Sequence, residues 1–244
     1  MIVTADDFGL SADVNQAILD AFHRGLISTT SVMANMPGFN EACDMARQNG
    51  LTGRVGTHVV LTEGEPLSQE IRSCGRFCDS EGRFRHWRAT DRALRLKSSE
   101  RRAVERELQA QIIRCRGEGL GITHIDSHQH VHNKLAIAAI VIAVAQEFGI
   151  RRVRIAHNTG SRMGLANRAS KAWINRDLRR KSLAGTRWFG GVDDYLRVKT
   201  TFSPVQLRSF EIVTHPVYRG GLLVDAQHPS CTLEQLLSVV TSHP

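Results

Sequence analysis

The stretch IVTADDFG, residues 2–9, decides the expected fold, because a short buried strand leads directly into two adjacent carboxylates. Ile2 to Ala5 has the mainly apolar character of a strand inside a sheet. Asp6 and Asp7 repel each other, and a folded core has no need of such a pair. An acidic pair also suits a solvated turn or a helix start, and alone this pair would fit that interpretation. Its meaning therefore depends on which other residues the fold brings beside it.

Outward from this first strand, predicted helices and strands alternate along the whole chain. Apolar spacing predicts further strands at 28–35, 54–61, 122–132, 151–157 and 210–218, and helices at 14–22, 39–49, 99–116, 137–148, 167–181 and 232–241. Such alternation is typical of a mainly parallel sheet, and polar motifs follow several of its strand ends, where parallel folds form their active face. We therefore predict an α/β fold, a distorted or incomplete (β/α) barrel with mainly parallel strands.

The domain organisation is expected to be simple. The 244 residues, 41% of them hydrophobic and 23% charged, fit a single globular domain over residues 1–244. Residues 62–97 interrupt the alternation, and we predict a loop excursion over the site there. The chain has neither an apolar run long enough for a membrane span nor a signal-peptide pattern, so we expect a cytoplasmic location. Five scattered cysteines are expected to be reduced thiols.

Positive charge is concentrated in a basic segment, residues 162–187, which carries eight lysines and arginines against one acid, Asp177. Most charge runs of this kind form a solvated helix face. The alternative is contact with an anionic partner, such as a phosphate-linked acetyl sugar or a glycan carrier at an anionic membrane surface. Specific nucleic-acid binding is disfavoured, because aromatic residues make up only 6% of the chain and it contains no helix-turn-helix, zinc-finger or RRM signature.

The strongest chemical signal is the concentration of histidine in THIDSHQHVH, residues 123–132. On a strand, residues two apart point the same way, so every second residue from Asp126 to His132 would share one face. So many imidazoles make a poor core, because each needs a hydrogen-bond partner when buried. Histidine is also the commonest metal ligand. This pattern therefore favours a metal site, with a solvated polar cavity as the alternative.

Two further motifs supply the remaining parts of such a site. His58 lies in VGTHVVLTEGEPL, and one carboxylate with two imidazoles forms a metal site that leaves positions open for water and substrate. The Asp6-Asp7 pair then divides into one ligand and one general base, and the cation offsets the repulsion between the two carboxylates. His215, in VTHPVY at a strand end, is a candidate proton donor to a leaving amine, with a core histidine as the alternative.

Five motifs, in this order, resemble the YdjC-like family of carbohydrate deacetylases, which includes the chitooligosaccharide deacetylases: TADDFGLS, STTSVMAN, VGTHVVLTEGEPL, THIDSHQHVH and VTHPV. The resemblance implies removal of an N-acetyl group from an amino sugar or glycan, with release of acetate. It also implies one divalent metal ion, Mg or Zn, and a homo-oligomer. Asp7, His58 and His128 would hold the metal. Asp6 resembles the general base, and His215 the acid.

The resemblance leaves alternatives open. A metal-dependent phosphoesterase, or another amidohydrolase, could use the same barrel, because a fold does not settle a function. Phosphoesterase chemistry would be favoured by two metals about 3.5–4 Å apart. The basic segment is the feature in which this chain departs most from familiar members of the family.

Overall fold

A curled sheet of six parallel strands forms the centre of the molecule in this computed structural model. The structure describes residues 1–86, 95–159 and 164–241. The six strands are β1 (Ile2–Phe8), β2 (Thr29–Val32), β3 (Val55–Val59), β4 (Ile125–Ser127), β5 (Trp188–Gly190) and β6 (Phe210–Thr214). Their order across the sheet is β4-β3-β2-β1-β6-β5, and every pairing is parallel. Single bridges join Ile125 to Val153 and Val153 to Ala184, so pairing continues beyond β4. The predicted mainly parallel, distorted (β/α) barrel is confirmed.

Helices follow the strands and cover the sheet. They are α1 (Ala12–His23), α2 (Phe39–Gln48), α3 (Gln69–Arg72), α4 (Ser98–Gly117), α5 (Leu135–Glu147), α6 (Leu165–Arg180), α7 (Val192–Lys199), α8 (Pro204–Arg208) and α9 (Leu233–Thr241). The Ser11 hydroxyl accepts the Val14 N–H and caps α1. Leu108 of α4 and Ile140 of α5 belong to one buried apolar cluster, and Ile18 of α1 belongs to a second. Burial of these apolar faces against the sheet holds the layers together.

The first strand continues through the aspartate pair instead of ending before it. The register between β1 and β2 shifts between Ala5 and Phe8, and Asp7 has a φ of 71°. Consecutive residues of a regular strand point to opposite faces, but a bulge re-aims a side chain. Because of this irregularity, the side chains of Asp6 and Asp7 both lie at the end of the sheet that carries the histidines.

The predicted extended face of histidines is wrong. Strand β4 ends at Ser127, and His128–Asn133 forms a kinked turn in which Gln129 and His130 have the non-helical φ values of 51° and 53°. The Ser127 hydroxyl accepts the His132 N–H at 3.1 Å, which closes the turn locally. The alternating histidines therefore point in different directions, and only part of the cluster faces the aspartates.

The predicted strand at 151–157 is reduced to the single bridges at Val153. The Asn175 side chain of α6 bonds both the N–H and the carbonyl of Ala156, at 2.7 and 2.8 Å. These backbone groups are therefore satisfied by a helix instead of a neighbouring strand. The sequence reasoning also missed β5, which is only three residues long.

The predicted strand at 210–218 divides at His215. Its first part is β6, and its second part, β7 (Pro216–Arg219), forms a small antiparallel sheet with β8 (Leu222–Asp225) and β9 (His228–Thr232). Pro216 has no N–H for a parallel ladder, and the His215 N–H donates to Asp225 Oδ2 at 2.8 Å. His215 therefore lies at the junction of the two sheets.

The predicted excursion at 62–97 is partly ordered into α3 and a bridge between Cys78 and Phe84, and its residues 87–94 lie outside the described residues. The buried Glu107 carboxylate of α4 accepts the N–H groups of Leu67 and Ser68 and fastens the excursion to the barrel. The basic segment is mostly α6, with its first residues, 162–163, undescribed. Among the described residues, no helix has the length and apolar character to cross a membrane. The single domain over 1–244 stays a prediction.

Candidate metal centre

Three predicted ligands meet at the carboxyl ends of the parallel strands. Asp7 Oδ1 lies 3.3 Å from His58 Nε2 and 3.0 Å from His128 Nδ1. One potential ligand atom from each of the three residues lies within 4.8 Å of the others. Burial tends to raise the pKa of Asp7, but the hydrogen bonds to His128 and His58 outweigh it and hold that pKa well below its usual value. The Asp7 carboxylate is therefore ionised and faces two imidazoles.

His58 is fixed by a carboxylate behind it. Its Nδ1 lies 2.8 Å from Asp126 Oδ1 and 3.0 Å from the Ser31 hydroxyl, which leaves Nε2 directed at Asp7. Burial tends to lower the pKa of His58, but the charges of Asp126 and Asp6 raise it to about 10. A metal-binding histidine commonly has such a carboxylate on its other nitrogen, which sets its orientation and tautomer.

His128 is held in the same way by a residue that the sequence reasoning did not single out. Its Nε2 forms an ion-pair contact with Glu63, while its Nδ1 faces Asp7. Glu63 is in turn fixed through its carbonyl oxygen, which accepts the Asn35 side-chain N–H at 3.1 Å. In both histidines one ring nitrogen faces Asp7, and the other contacts a different carboxylate, that of Asp126 for His58 and that of Glu63 for His128.

Asp6 lies beside this group in a buried ion cluster built around Arg154. Arg154 donates to both Asp6 oxygens, at 2.7 and 2.8 Å. The same guanidinium lies 2.8 Å from Asp126 Oδ2 and donates to Glu211 at 2.8 Å. The charged side chain of Arg154 is fully buried, and three carboxylates satisfy it. This arrangement fixes the Asp6 carboxylate in one orientation.

Backbone strain is concentrated at the same place. Four non-glycine residues of the described chain have positive φ, and three of them are Asp7, Gln129 and His130. Left-handed conformations cost free energy for residues with a side chain, so they persist where the surroundings enforce them. At Asp7 and at the turn after β4, that strain directs side chains into one site.

Three further histidines, His130, His132 and His215, were singled out by the sequence analysis. Burial and the Arg154 charge lower the pKa of His130 to about 4. Burial and His130 lower the pKa of His132 to about 3. His130 Nδ1 and His215 Nδ1 are both buried and have no hydrogen-bond partner among the described residues. Each of these two imidazoles therefore has a nitrogen available for another group.

The residues fit one divalent cation and not two. Asp7, His58 and His128 offer one carboxylate and two imidazoles, a donor set that suits a divalent metal. A second group, Asp6, His58 and Asp126, has similar spacing. Its two carboxylates are already bridged by the Arg154 guanidinium, which supplies the positive charge there. A second cation would have to displace that buried arginine.

Sequence reasoning missed Glu63 and Arg154, although both lie in motifs that it used or predicted. Glu63 follows His58 by five residues in VGTHVVLTEGEPL, and Arg154 is the third arginine of RRVRIAH. An arginine between the apolar residues Val153 and Ile155 of a predicted strand was a usable signal, because a buried arginine needs carboxylate partners. The chain offers such partners in Asp6 and Asp126.

The fold is a distorted (β/α) barrel, and among its described residues an Asp-His-His group that could hold a cation lies beside a buried carboxylate. The chain belongs to the YdjC-like family, whose profile, described as "YdjC-like protein", matches residues 1–241. The predicted family is therefore confirmed.

Curated relatives carry the name carbohydrate deacetylase. One from Brevibacillus brevis is 43% identical over 150 residues, which are 62% of this chain and 57% of that protein. One from Geobacillus stearothermophilus is 40% identical over 157 residues, 64% of this chain and 60% of that protein. The chain thus matches less than two thirds of the length of these relatives. One from Oceanobacillus iheyensis is 30% identical over 240 residues, 98% of this chain and 95% of that protein.

A solved structure shares the fold. It is the crystal structure of a protein from Enterococcus faecalis V583, described as a candidate cellobiose-phosphate cleavage protein. Its TM-score is 0.71 and its sequence identity 23%, and the match covers 99% of this chain and 90% of that one. At that identity the likeness supports the fold alone.

Proposed function

We propose that this chain is a metal-dependent carbohydrate deacetylase that hydrolyses the N-acetyl group of an amino sugar. The observation that carries the proposal is the convergence of Asp7, His58 and His128 beside the oriented carboxylate of Asp6. The deacetylase names of the relatives support the same reaction class.

In this reaction water adds to the acetyl carbonyl, and the carbon–nitrogen bond then breaks to give acetate and a free amine. A divalent ion held by Asp7, His58 and His128 would polarise the carbonyl and lower the pKa of the attacking water. Asp6 is the base that accepts the proton of that water. Its bidentate pairing with Arg154 leaves a further lone pair on each oxygen, so the carboxylate keeps its capacity to accept.

The departing nitrogen needs a proton, and His215 is the residue proposed to donate it. His215 stands at the junction of β6 and β7, and its backbone N–H is bonded to Asp225. That bond fixes the backbone beside the ring, whose Nδ1 has no partner among the described residues. A histidine can exchange a proton near neutral pH, as general acid catalysis requires.

The predicted alternative, a two-metal phosphoesterase, is disfavoured by Arg154. The group that would hold the second metal already shares its carboxylates with this guanidinium. Mg and Zn both remain compatible with the single cation site, because imidazole suits Zn and a carboxylate with open positions suits Mg.

The proposal is tested by acetate release from N-acetylated glucosamine oligomers, measured beside phosphatase activity on the same preparation. Chelation of metal should abolish acetate release, and readdition of Mg or Zn should restore it. Cleavage of phosphate esters without acetate release from any acetylated sugar would overturn the proposal.

A further inference from the structure

A basic cavity of about 450 Å³ lies between α6 and the segments around His157 and Trp188. Four cationic side chains line it: Arg168, Lys171, Arg179 and Arg187. Its volume lies within the range of about 300–1,000 Å³ that is usual for small-ligand sites. The cavity differs from the cation site in its residues, and the proposed deacetylation makes no use of it.

Carboxylates of the described residues offset the charge of this cavity only in part. Among the described residues, no carboxylate lies within 4 Å of the guanidinium of Arg168, Arg179 or Arg187, although other arginines form such pairs. Burial is the main cause that lowers the pKa of Lys171; the charge of Lys134 lowers it further, and the charge of Asp194 opposes the shift. The nearby carboxylate, Asp194, is bonded to His157 and Arg197.

Three of the cationic residues, Arg168, Lys171 and Arg179, lie on one face of α6. Positions 168, 171, 175 and 179 recur at the three- and four-residue spacing that brings side chains onto one helix face. Asn175 of this face is anchored to the Ala156 backbone, which sets the helix against the cavity wall. The opposite groove of α6, lined by Trp173, Arg176 and Arg180, includes the acid Asp177 and measures about 190 Å³. Among the described residues, the face of α6 with positions 168, 171, 175 and 179, here the inner face, has the larger cavity and a lining free of carboxylates.

The cavity adjoins the candidate metal centre through one aromatic ring. The Phe189 ring lies 6.1 Å from the His157 ring and 5.6 Å from the His130 ring, centroid to centroid. The Arg154 guanidinium, which holds Asp6, lies 4.9 Å from the same ring centroid. A ligand in the cavity would therefore lie one side-chain layer away from the group that orients the proposed base.

We propose that this cavity binds a phosphate or diphosphate group carried by the acetylated sugar. Arginine suits this ligand, because its planar guanidinium pairs with phosphate oxygens through two parallel hydrogen bonds. The inference rests on the proposed function for the identity of the sugar, but the anion site itself does not. The same chemistry would accept a free phosphate compound, so the test has to separate the two sources.

The first test is calorimetric titration with inorganic pyrophosphate at an ionic strength of about 150 mM, which screens diffuse charge. The inner variant carries Arg168→Gln and Arg179→Gln. The outer variant is the matched control: it carries Arg176→Gln and Arg180→Gln and removes the same charge from the opposite groove of α6. We expect the inner pair to weaken binding at least about tenfold, the value of one charge-assisted hydrogen bond. The outer pair should change it less than about twofold. Equal losses in both variants, or no binding to the wild type, would overturn the proposal.

The second test compares acetate release from N-acetylglucosamine 6-phosphate and from N-acetylglucosamine. If the sugar carries the phosphate, the inner variant should raise KM for the phosphorylated compound and leave the neutral one unchanged. Competition by free pyrophosphate against only the phosphorylated sugar would support the same conclusion. Equal KM changes for both sugars would contradict it.

Two outcomes distinguish this inference from the deacetylase proposal and from binding to a membrane surface. Pyrophosphate binding that depends on the inner face, without acetate release from any sugar, would uphold the anion site and refute the deacetylase proposal. The other outcome is that the protein does not bind pyrophosphate but sediments with phosphatidylserine vesicles, and that both double variants reduce this sedimentation equally. This result would show that the basic residues bind a membrane surface, and it would overturn the inference.

Discussion

Arg154 is the residue that organises the chemistry of this protein. It is fully buried and contacts Asp6, Asp126 and Glu211. Burial tends to lower the pKa of this guanidinium, but the three carboxylates raise it well above its ordinary value. Through Asp126 the same arginine also reaches His58. The proposed base and one proposed metal ligand are therefore positioned by a single cation.

The first prediction concerns this cluster. Arg154→Met should lower the free energy of unfolding by about 3–5 kcal/mol, because it leaves buried carboxylates without their partner. Urea denaturation measures the loss. The matched control is Arg24→Met, which breaks the exposed pair with Glu234 and should have little effect. Equal stability of the two variants would contradict the role assigned to Arg154.

The second prediction concerns Glu63. Glu63→Gln should weaken divalent metal binding about 10–100-fold, because His128 loses the carboxylate that orients it. Equilibrium dialysis with metal analysis measures the effect. Glu65→Gln is the control, since Glu65 pairs with Arg72 at 3.4 Å and makes no described contact with a proposed ligand. Unchanged metal affinity in Glu63→Gln would show that His128 does not need this partner.

At the residue scale, the sequence predicts which carboxylates and histidines meet but not what holds them. The choice of Asp7, His58 and His128 rests on the family resemblance, and their meeting is expected because the motifs that carry them lie towards the carboxyl ends of strands, which share one edge of the sheet. Glu63 and Arg154 are not predictable, because their partners come from distant parts of the chain, and local patterns do not encode such pairings. The pairing of Arg154 with Asp6 joins residues 148 positions apart.

At the scale of elements, short irregular segments aim the functional side chains. The shift of register in β1 and the kinked turn after β4 depart from regular geometry, and both carry proposed ligands. Strands and helices with clear apolar spacing are predictable from sequence. The turn after β4 is not, because its alternating histidines have the period of a strand while Ser127 closes the backbone locally.

The third prediction concerns the packing of β3 against the start of β4. A methyl group at Gly56 would lie 2.5 Å from the His124 ring, which is buried and held by Thr123 and Arg152. Gly56→Ala should therefore lower the melting temperature and cost about 1–3 kcal/mol of stability. Gly53→Ala, where a methyl group meets nothing within 4 Å, is the control. A stable Gly56→Ala protein would show that His124 can move.

At the scale of the whole molecule, the barrel buries histidines whose protonation makes the stability of the fold depend on pH. His124 and His132 are buried, and burial is the main cause that lowers the pKa of each to about 3. Among the described residues, the curled sheet continues past β4 through single bridges at Val153. The parallel barrel is predictable from the alternation of elements, but this incomplete pairing beyond β4 is not.

The fourth prediction is acid lability. A histidine whose pKa falls from about 6.5 in the unfolded chain to about 3 on folding stabilises the protein fully above pH 6.5. That stability is lost as the pH falls from 6.5 towards 3, by up to about 1.4 kcal/mol per pH unit for each such group. Urea denaturation at pH 7.5 and 5.5 should show the decline. His124→Gln should reduce the slope, and an unchanged slope would contradict the assignment.

The central claim is that Asp6 is a base beside a metal held by other residues. The direct test is acetate release from N-acetylated glucosamine oligomers by wild type and Asp6→Asn, with the metal content and the melting temperature of both. We expect the variant to be folded and to retain about one metal ion per chain, and acetate release to fall by about 10²–10⁴ because asparagine cannot accept the proton. A folded, metal-loaded variant that releases acetate at the wild-type rate would contradict the account.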